Sequence, residues 1–173
     1  LTEVNAPLQR GLTAAENIFG LLDQIPEEDR GTKQLPNGHS HDIVFDHVGF
    51  SYEGAARPAL HDISLTVQAG QTVALVGPSG SGKTTLVTLL PRFYNAAQGR
   101  ILIDGLDVQD LTLESLRAAI ALVSQDVVLF NDTVAANIAY GGAAGASEAD
   151  IIAAAKAANA WEFIRQMPQG LQT

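Results

Sequence analysis

The chain has 173 residues, 46% of them apolar, which is enough to bury a core of ordinary size in one domain with at most an appendage. Its formal net charge of −9 argues against nucleic acid and anionic lipid as direct partners, because both bind basic surfaces. It has no cysteine, which excludes disulfides and thiolate metal sites, and no uninterrupted apolar run of the length, about 18 residues, that a membrane-spanning helix requires.

Residues 7–23 are predicted to form a helix that continues from an upstream segment and leads into the domain. Between Pro7 and Asp23, apolar residues recur at intervals of three and four and line one helix face; they are Leu8, Leu12, Ala15, Phe19 and Leu22. A helix packed on its own domain explains the same spacing. The chain opens at Leu1 without a signal peptide and stops at Thr173 within an unfinished pattern, so we expect a piece of a longer polypeptide.

Residues 25–41 have the composition of an exposed linker, with prolines, glycines and charged residues throughout. His39 and His41 are candidate metal ligands by residue type. No cysteine or carboxylate partner accompanies them in the sequence, so we interpret both as solvated linker residues.

From Asp42 onward the pattern is that of an α/β domain, which we assign to residues 42–173. Alternating apolar residues predict half-buried strands at 43–50 and 63–67, within a small antiparallel β subdomain. Short apolar runs at 72–76 and 121–124 predict buried strands of a parallel sheet with flanking helices.

Further elements follow from turn and capping residues. We expect a helix from about Gly82 through Leu90 that Pro91 kinks or ends, since proline lacks an amide hydrogen. A strand at 101–103 should close in the turn Asp104-Gly105, and Thr112 should cap a helix through Ile120.

The last third of the sequence is predicted to be helical. Asp132 is placed to cap a helix at 133–140, and a glycine-rich loop follows at 141–145. Ser147 and Asp150 have the spacing of a capping box before an alanine-rich helix.

A glycine-rich loop between a predicted strand and a predicted helix has the spacing of a nucleotide-phosphate-binding loop. Its residues are Gly77, Pro78, Ser79, Gly80, Ser81, Gly82, Lys83 and Thr84, and we add Thr85 to the nucleotide-binding set. Glycines let backbone amides turn inward as an anion nest, and the helix adds its positive N-terminal end. Lys83 is predicted to reach the β- and γ-phosphates and the Thr84 hydroxyl to bind magnesium, so the sequence predicts ATP and Mg²⁺ as ligands.

Two further residues are candidates by position. Tyr52 lies at the end of a predicted strand, where an aromatic ring usually packs in a core but, if exposed, can stack on a purine. Gln125 follows the predicted strand 121–124, and parallel sheets place ligands at such strand ends. Its amide would contact magnesium or the attacking water.

Three features occur in order that together resemble the nucleotide-binding domain of ATP-binding cassette transporters. They are Phe50-Ser51-Tyr52, the phosphate loop, and Leu122-Val123-Ser124-Gln125-Asp126. The resemblance extends over essentially the whole chain and implies the N-terminal part of a P-loop NTPase core. It also implies that Tyr52 stacks on adenine and that Gln125 is the Q-loop glutamine, with a catalytic and magnesium-contacting role.

Residues 5–11, 123–134 and 137–140 are similar to the corresponding segments of exporters that carry lipid A. This resemblance implies an ATP-driven flippase for lipid A core or a related lipid, at the cytoplasmic face of the bacterial inner membrane. It also implies that residues 1–24 are the end and extension of the last transmembrane helix. Exporters of drugs, peptides or proteins remain the alternative. The implied partners are a second copy in a homodimer, the chain's own transmembrane domain with its coupling helices, and the lipid.

The family's signature segment, its magnesium-binding aspartate with the catalytic glutamate, and its switch histidine do not occur in these 173 residues. Asp104, His39, His41, His47 and His61 lie too early in the sequence to supply them. We therefore expect ATPase activity from the full-length protein but none above background from this piece alone.

Other classes of protein explain the sequence less well. A GTPase would need a guanine-reading Asn-Lys-x-Asp run, which does not occur, and a small-molecule kinase shares only the loop. The acidic balance disfavours a nucleic-acid machine, and a scaffold role leaves the glycine loop unexplained.

Overall fold

The computed structural model describes residues 2–36 and 40–173, which form two compact units, Leu1–Leu113 and Glu114–Thr173. His39, one of the two candidate metal ligands, lies outside the described residues together with its neighbours Asn37 and Gly38. The first unit contains the sheet and the glycine loop, and the second is mainly helical.

The N-terminal segment is one helix, α1, at Thr2–Leu22, so the predicted helix is confirmed and begins earlier than its apolar spacing indicated. Leu12, Phe19 and Leu22, three residues of its apolar face, are exposed. Within the described ranges, no helix is both long enough and apolar enough to cross a membrane.

The sheet of the first unit is antiparallel and has the strand order β2-β1-β3-β4. Its strands are β1 at Ile43–Phe50, β2 at Leu60–Val67, β3 at Gln98–Ile103 and β4 at Leu106–Asp107. The predicted β subdomain is thus confirmed. The turn from β3 to β4 uses Asp104 and Gly105 with φ of 50° and 78°, the backbone conformation that a two-residue hairpin turn requires.

A bulge interrupts β1 between Phe45 and Val48 and forces an unusual backbone on its neighbours. His47 in β1 and Asp62 in β2 have φ of 51° and 53°, and Nδ1 of His47 lies 2.5 Å from Oδ1 of Asp62. Gly99 in β3 has φ of +70°, and a Cβ there would lie 2.3 Å from the carbonyl oxygens of Asp46 and His47. Only glycine fits this crossing.

Part of the segment 25–41 is docked rather than exposed. The amides of Thr32 and Lys33 donate to the carbonyl oxygen of Asp110, while Lys33 Nζ bonds Oδ2 of the same residue at 2.8 Å. Leu35 is buried. The composition of the segment predicted that it is exposed, because composition carries no information on these hydrogen bonds with residues 110–112.

The expectation that His41 is solvated is wrong. Its Nδ1 lies 2.6 Å from Oδ2 of Asp104, whose other carboxylate oxygen accepts the amide of Asp42 at 2.8 Å. The side chain of His41 is largely buried. Its partner is a carboxylate 63 positions away, which local sequence does not reveal.

The helix after the glycine loop, α2, occupies Lys83–Leu89 and ends before Pro91, as predicted. Arg92 then adopts φ of 57° and buries its side chain. Its Nη1 donates to the carbonyl oxygens of Leu111 at 2.8 Å and Val108 at 3.3 Å. This side chain ties the end of α2 to the segment 108–111.

Two predicted parallel strands are absent from the structure. Residues 72–76 in the first unit and 121–124 in the second form no strand, and Val76 and Val123 are 88% and 95% exposed. In the described parts of the chain, neither segment pairs with a strand. A strand is stable only when its backbone groups find partners along an edge, so apolar composition was insufficient here.

The second unit is built from short helices, in keeping with the helical pattern predicted for its sequence. They are α3 at Leu113–Ala118, which starts at the unit boundary, α4 at Val134–Ile138, α5 at Glu148–Ala157 and α6 at Trp161–Ile164. Single 3₁₀ turns lie at Gly141–Ala143 and Gly170–Gln172. The core of this unit consists of Ala139, Ile151, Ala155, Ile164 and Leu171.

Capping explains where two of these helices begin. Ser147 and Asp150 form the predicted capping box at α5. The prediction that Asp132 caps α4 is wrong, because Thr133 is the cap and accepts the amide of Ala136 at 3.1 Å. Asp132 instead accepts the amide of Thr133. Either residue type is a good cap, so sequence could not choose between neighbours.

Candidate phosphate-binding loop and purine platform

The glycine loop has a backbone that only glycine adopts without strain. Gly80 and Gly82 have φ of +80° and +85°, and Gly82 is the residue from which α2 begins. A Cβ on Gly82 would also lie 2.7 Å from both the carbonyl oxygen of Ala59 and Cδ2 of Leu60. The left-handed backbone and the close approach each require glycine at this position.

Lys83 places its ammonium group against this loop. Its Nζ donates to the carbonyl oxygens of Gly77 at 2.9 Å and Pro78 at 2.8 Å, and lies 3.3 Å from Oγ of Ser81. These bonds fix a cation beside the loop's backbone amides. In a chain of net charge −9, this local arrangement rather than the overall field is what can hold an anion.

The donor set fits nucleotide phosphates. The loop offers backbone amides, one ammonium group and the exposed Thr84 at the first turn of α2. Among residues 2–36 and 40–173, no group of three or more His, Asp or Glu side chains is arranged to hold a metal ion. Magnesium bound with a nucleotide takes most of its ligands from phosphates and water, so a single hydroxyl from the protein is compatible with it.

Tyr52 lies beside the helix that carries the loop. Its hydroxyl is 3.0 Å from Oγ1 of Thr85, a buried residue of α2. Its ring contacts Phe50 and Tyr94 at centroid distances of 4.9 Å and 5.3 Å, each with ring planes at 86°. The residue remains 40% exposed, which leaves surface on which a purine can stack.

Thr85 was assigned to the nucleotide, and its described side-chain contact is with Tyr52. Because Thr85 follows Thr84 directly, the same helical turn connects the loop to the aromatic ring. The structure therefore brings together Tyr52, the loop residues 77–84 and Thr85 within the first unit.

Gln125 belongs to the second unit and is exposed. It lies in the segment after residues 121–124, where Oγ of Ser124 donates to the carbonyl oxygen of Asp126 at 2.5 Å. Its contact with magnesium or with an attacking water remains a prediction.

The second unit has an apolar cavity of about 470 Å³ next to this segment. Its lining includes Leu129, Phe130, Ile138, Phe163 and Met167.

The side chain of Asn137 fixes the backbone of the cavity-lining segment around Phe130 by hydrogen bonds. Its Nδ2 donates to the carbonyl oxygens of Phe130 and Thr133 at 3.1 Å and 2.9 Å, and its Oδ1 accepts the amide of Phe130 at 2.8 Å. The ring of Phe130 stacks on Tyr140 at 4.2 Å.

A second cavity, of about 430 Å³, lies in the first unit and is polar. Arg92, Asn95, Gln109 and Glu27 are among its lining residues, and it includes no residue of the glycine loop.

Sequence reasoning missed Tyr94 and Asn137. Tyr94 is 42 positions from Tyr52, and no local periodicity links the two. The bonds of Asn137, the fourth residue of α4, reach back four to seven residues, to the cap and to the segment before the helix. No local signal in the sequence indicated these bonds, because Asn137 lies within the predicted helix 133–140.

Residues 60–172 match a family model described as ABC transporter. The chain belongs to the ABC transporter family. It is 57% identical over 173 residues to the ATP-dependent lipid A-core flippase of Methylobacillus flagellatus, and 58% identical to that of Albidiferax ferrireducens. Each alignment covers 100% of this chain and 30% of the relative, so the chain spans about a third of the length of these curated relatives.

Among solved structures, this ABC transporter chain is similar to a bacterial Atm1-family ABC exporter with ATP bound. The TM-score is 0.80 at 46% sequence identity, over 95% of this chain and 29% of that one. The family resemblance read from Tyr52, the phosphate loop and Gln125 is thereby confirmed. The roles of the individual residues remain predictions.

Proposed function

We propose that this chain is the ATP-binding part of a bacterial exporter that uses ATP to flip lipid A core across the inner membrane. The glycine loop with Lys83 held against it carries the nucleotide proposal. The lipid proposal rests on identities of 51% to 58% with lipid A-core flippases over the whole chain.

Each residue of the site then has a defined task. The loop amides bind phosphate oxygens, and the Lys83 ammonium exchanges its bonds to Gly77 and Pro78 for bonds to the β- and γ-phosphates. Tyr52 stacks on adenine. Thr84 and Gln125 would hold magnesium, which neutralises charge on the phosphates.

The proposed partners follow from the same relationship. A second copy of the chain completes a homodimer, and the chain's own transmembrane domain docks through its coupling helices. The apolar cavity of the second unit, with Phe130 and Phe163 in its lining, supports this docking because it is concave and apolar. From these proposed contacts we infer that the chain lies at the cytoplasmic face of the membrane.

Nucleotide binding is tested by titrating wild type and Lys83→Ala with MgATP in a calorimeter. We expect Lys83→Ala to lose about 1.5–3 kcal/mol of binding free energy, the range for hydrogen bonds to charged groups. Lys156→Ala, which removes an exposed lysine of α5, is the matched control and should bind as wild type. Equal affinity of the wild type and Lys83→Ala would refute our placement of the phosphates.

The transport proposal requires the complete polypeptide encoded by the reading frame around this chain, reconstituted in liposomes. We expect lipid A to stimulate ATP hydrolysis and to cross the bilayer, and Lys83→Ala to abolish both. Stimulation by a drug or peptide but not by lipid A would support the alternative exporter class instead.

A further inference from the structure

Three side chains hold the ring of Tyr52. Phe50 and Thr85 are buried, in β1 and α2, whereas Tyr94 is half exposed and belongs to the segment after Pro91. Tyr52 itself begins the exposed turn after β1, in which the amide of Ala55 donates to its carbonyl oxygen at 3.1 Å. The contacts described for this ring are with these three side chains, and they set its orientation.

Tyr94 is anchored well enough to act on its neighbour. Two residues before it, Arg92 buries its side chain and bonds the carbonyl oxygens of Val108 and Leu111. The ring of Tyr94 also contacts Phe50 at 5.4 Å, so Phe50, Tyr52 and Tyr94 form a closed triangle of rings. The two contacts of Tyr52 in this triangle are T-shaped, and such contacts fix the relative orientation of two rings because the edge of one meets the face of the other.

We propose that Tyr94 is a positioning residue that holds the Tyr52 ring in the orientation that accepts a purine, and so sets the preference for nucleotide over bare triphosphate. This inference rests on the proposed ATP-binding function and adds a residue to it. Tyr94 acts through Tyr52 and does not contact the base. Removing its ring lets Tyr52 reorient, which lowers stacking while the phosphate loop remains intact.

The test measures two ligands by calorimetry on the complete polypeptide: the magnesium complex of a non-hydrolysable ATP analogue, and magnesium tripolyphosphate. We expect Tyr94→Leu to weaken analogue binding about 2- to 10-fold, the effect of one aromatic pair, and to leave tripolyphosphate binding unchanged. Tyr94→Phe keeps the ring and should bind both ligands as wild type. Phe19→Leu, at an exposed ring of α1, controls for loss of any surface aromatic.

A double mutant separates positioning from direct contact. In a Tyr52→Leu background the further change Tyr94→Leu should have no effect on analogue binding, because the ring through which it acts is gone. An additional loss in that background would show that Tyr94 touches the base and would overturn the inference. Equal weakening of both ligands by Tyr94→Leu would also overturn it, since that result indicates general damage to the loop.

If the proposed ATP-binding function itself is wrong, the same measurements give a different result. If wild type bound neither ligand, or if Tyr52→Leu bound the analogue as tightly as wild type, the nucleotide site or the stacking role of Tyr52 would be wrong. If Tyr52→Leu weakened analogue binding and Tyr94→Leu did not, the site would stand and only the role of Tyr94 would be refuted.

Discussion

The antiparallel sheet and the segment 72–76 of the same unit are both rich in β-forming residues, yet only the sheet consists of strands. In β1, Val48 and Phe50 are buried and the strand pairs on both sides, with β2 and with β3. In the segment 72–76, Val76 is exposed and pairs with no described strand. The difference shows that apolar patterning gives a segment the capacity to form a strand, whereas available edge partners decide whether it does.

We expect the largest loss of stability from a side chain added where the backbones of β3 and β1 lie closest, at Gly99. Gly99→Ala would put a Cβ 2.3 Å from the carbonyl oxygens of Asp46 and His47 at φ of +70°. We expect a loss of about 3 kcal/mol or more in the free energy of unfolding, from strain and displacement of β1 together.

The matched control for this change is Gly105→Ala in the β3–β4 turn. Its φ of +78° is similar, but nothing lies within 4 Å of the added Cβ. Backbone strain alone should then cost about 1–2 kcal/mol in urea unfolding. Equal losses in the two variants would show that the crossing is not as tight as described.

Replacing valine by alanine, once in a paired strand and once in an apolar segment that forms no strand, tests how much each segment contributes to stability. Val48→Ala removes two buried methyl groups and should cost about 2 kcal/mol of unfolding free energy, whereas Val123→Ala, at a 95% exposed side chain, should cost less than about 0.5 kcal/mol. Urea denaturation measures both. A large loss from Val123→Ala would mean that residues 121–124 are covered in solution.

A smaller loss of stability is expected from removing the side chain of Asn137, which bonds the backbone around Phe130. Asn137→Ala removes the amide that bonds Phe130 and Thr133, which should cost about 1–2 kcal/mol, since each such bond contributes modestly at a surface. Hydrogen exchange should accelerate at the amide of Phe130. Thr133→Ala is the contrasting variant, because it removes the α4 cap and leaves the bonds of Asn137 to backbone oxygens. Unchanged exchange at Phe130 in Asn137→Ala would contradict the description of these bonds.

The smallest expected effect is pH-dependent and lies in the bulge of the sheet. The hydrogen bond to Asp62, followed by the charges of Asp62 and Asp46, raises the pKa of His47 above its ordinary value. The pair therefore stabilises the fold fully at pH below the ordinary histidine pKa of about 6.5, and this contribution is lost as pH rises through the raised pKa. The difference in unfolding free energy between wild type and His47→Gln should shrink from acid to alkaline pH.

Nuclear magnetic resonance provides the control for this prediction. The imidazole of His47 should titrate above the ordinary value in wild type, and Asp62→Asn should move its pKa back downward. A His47 pKa unaffected by Asp62→Asn would refute the assigned cause.

The sequence predicted those features whose chemistry is local. The glycine loop was recognisable because the left-handed backbone at Gly80 and Gly82 demands glycine, and the Asp104-Gly105 turn for the same reason. Alternation predicted β1 and the second half of β2, and the turn at Asp104-Gly105 indicated the end of β3, whereas β4 was not predicted. Ser147 and Asp150 were identified as a cap because both partners lie within one helical turn.

Features that depend on distant partners could not be predicted. His41 bonds Asp104, and Tyr52 contacts Tyr94, across separations that no periodicity encodes. The strands expected at 72–76 and 121–124 failed for the same reason, since pairing is a property of two segments and the pattern of one does not specify it.

The central claim is that the loop around Lys83 binds the triphosphate of ATP, and the most direct test is to titrate isotope-labelled protein with MgATP and follow its backbone amides. We predict the largest shifts at the amides of Gly80, Gly82 and Lys83, with a smaller one at the amide of Tyr52, whose ring stacks on the base. Unchanged loop amides, with shifts instead at Asn95 and Gln109 of the polar cavity near Arg92, would contradict it.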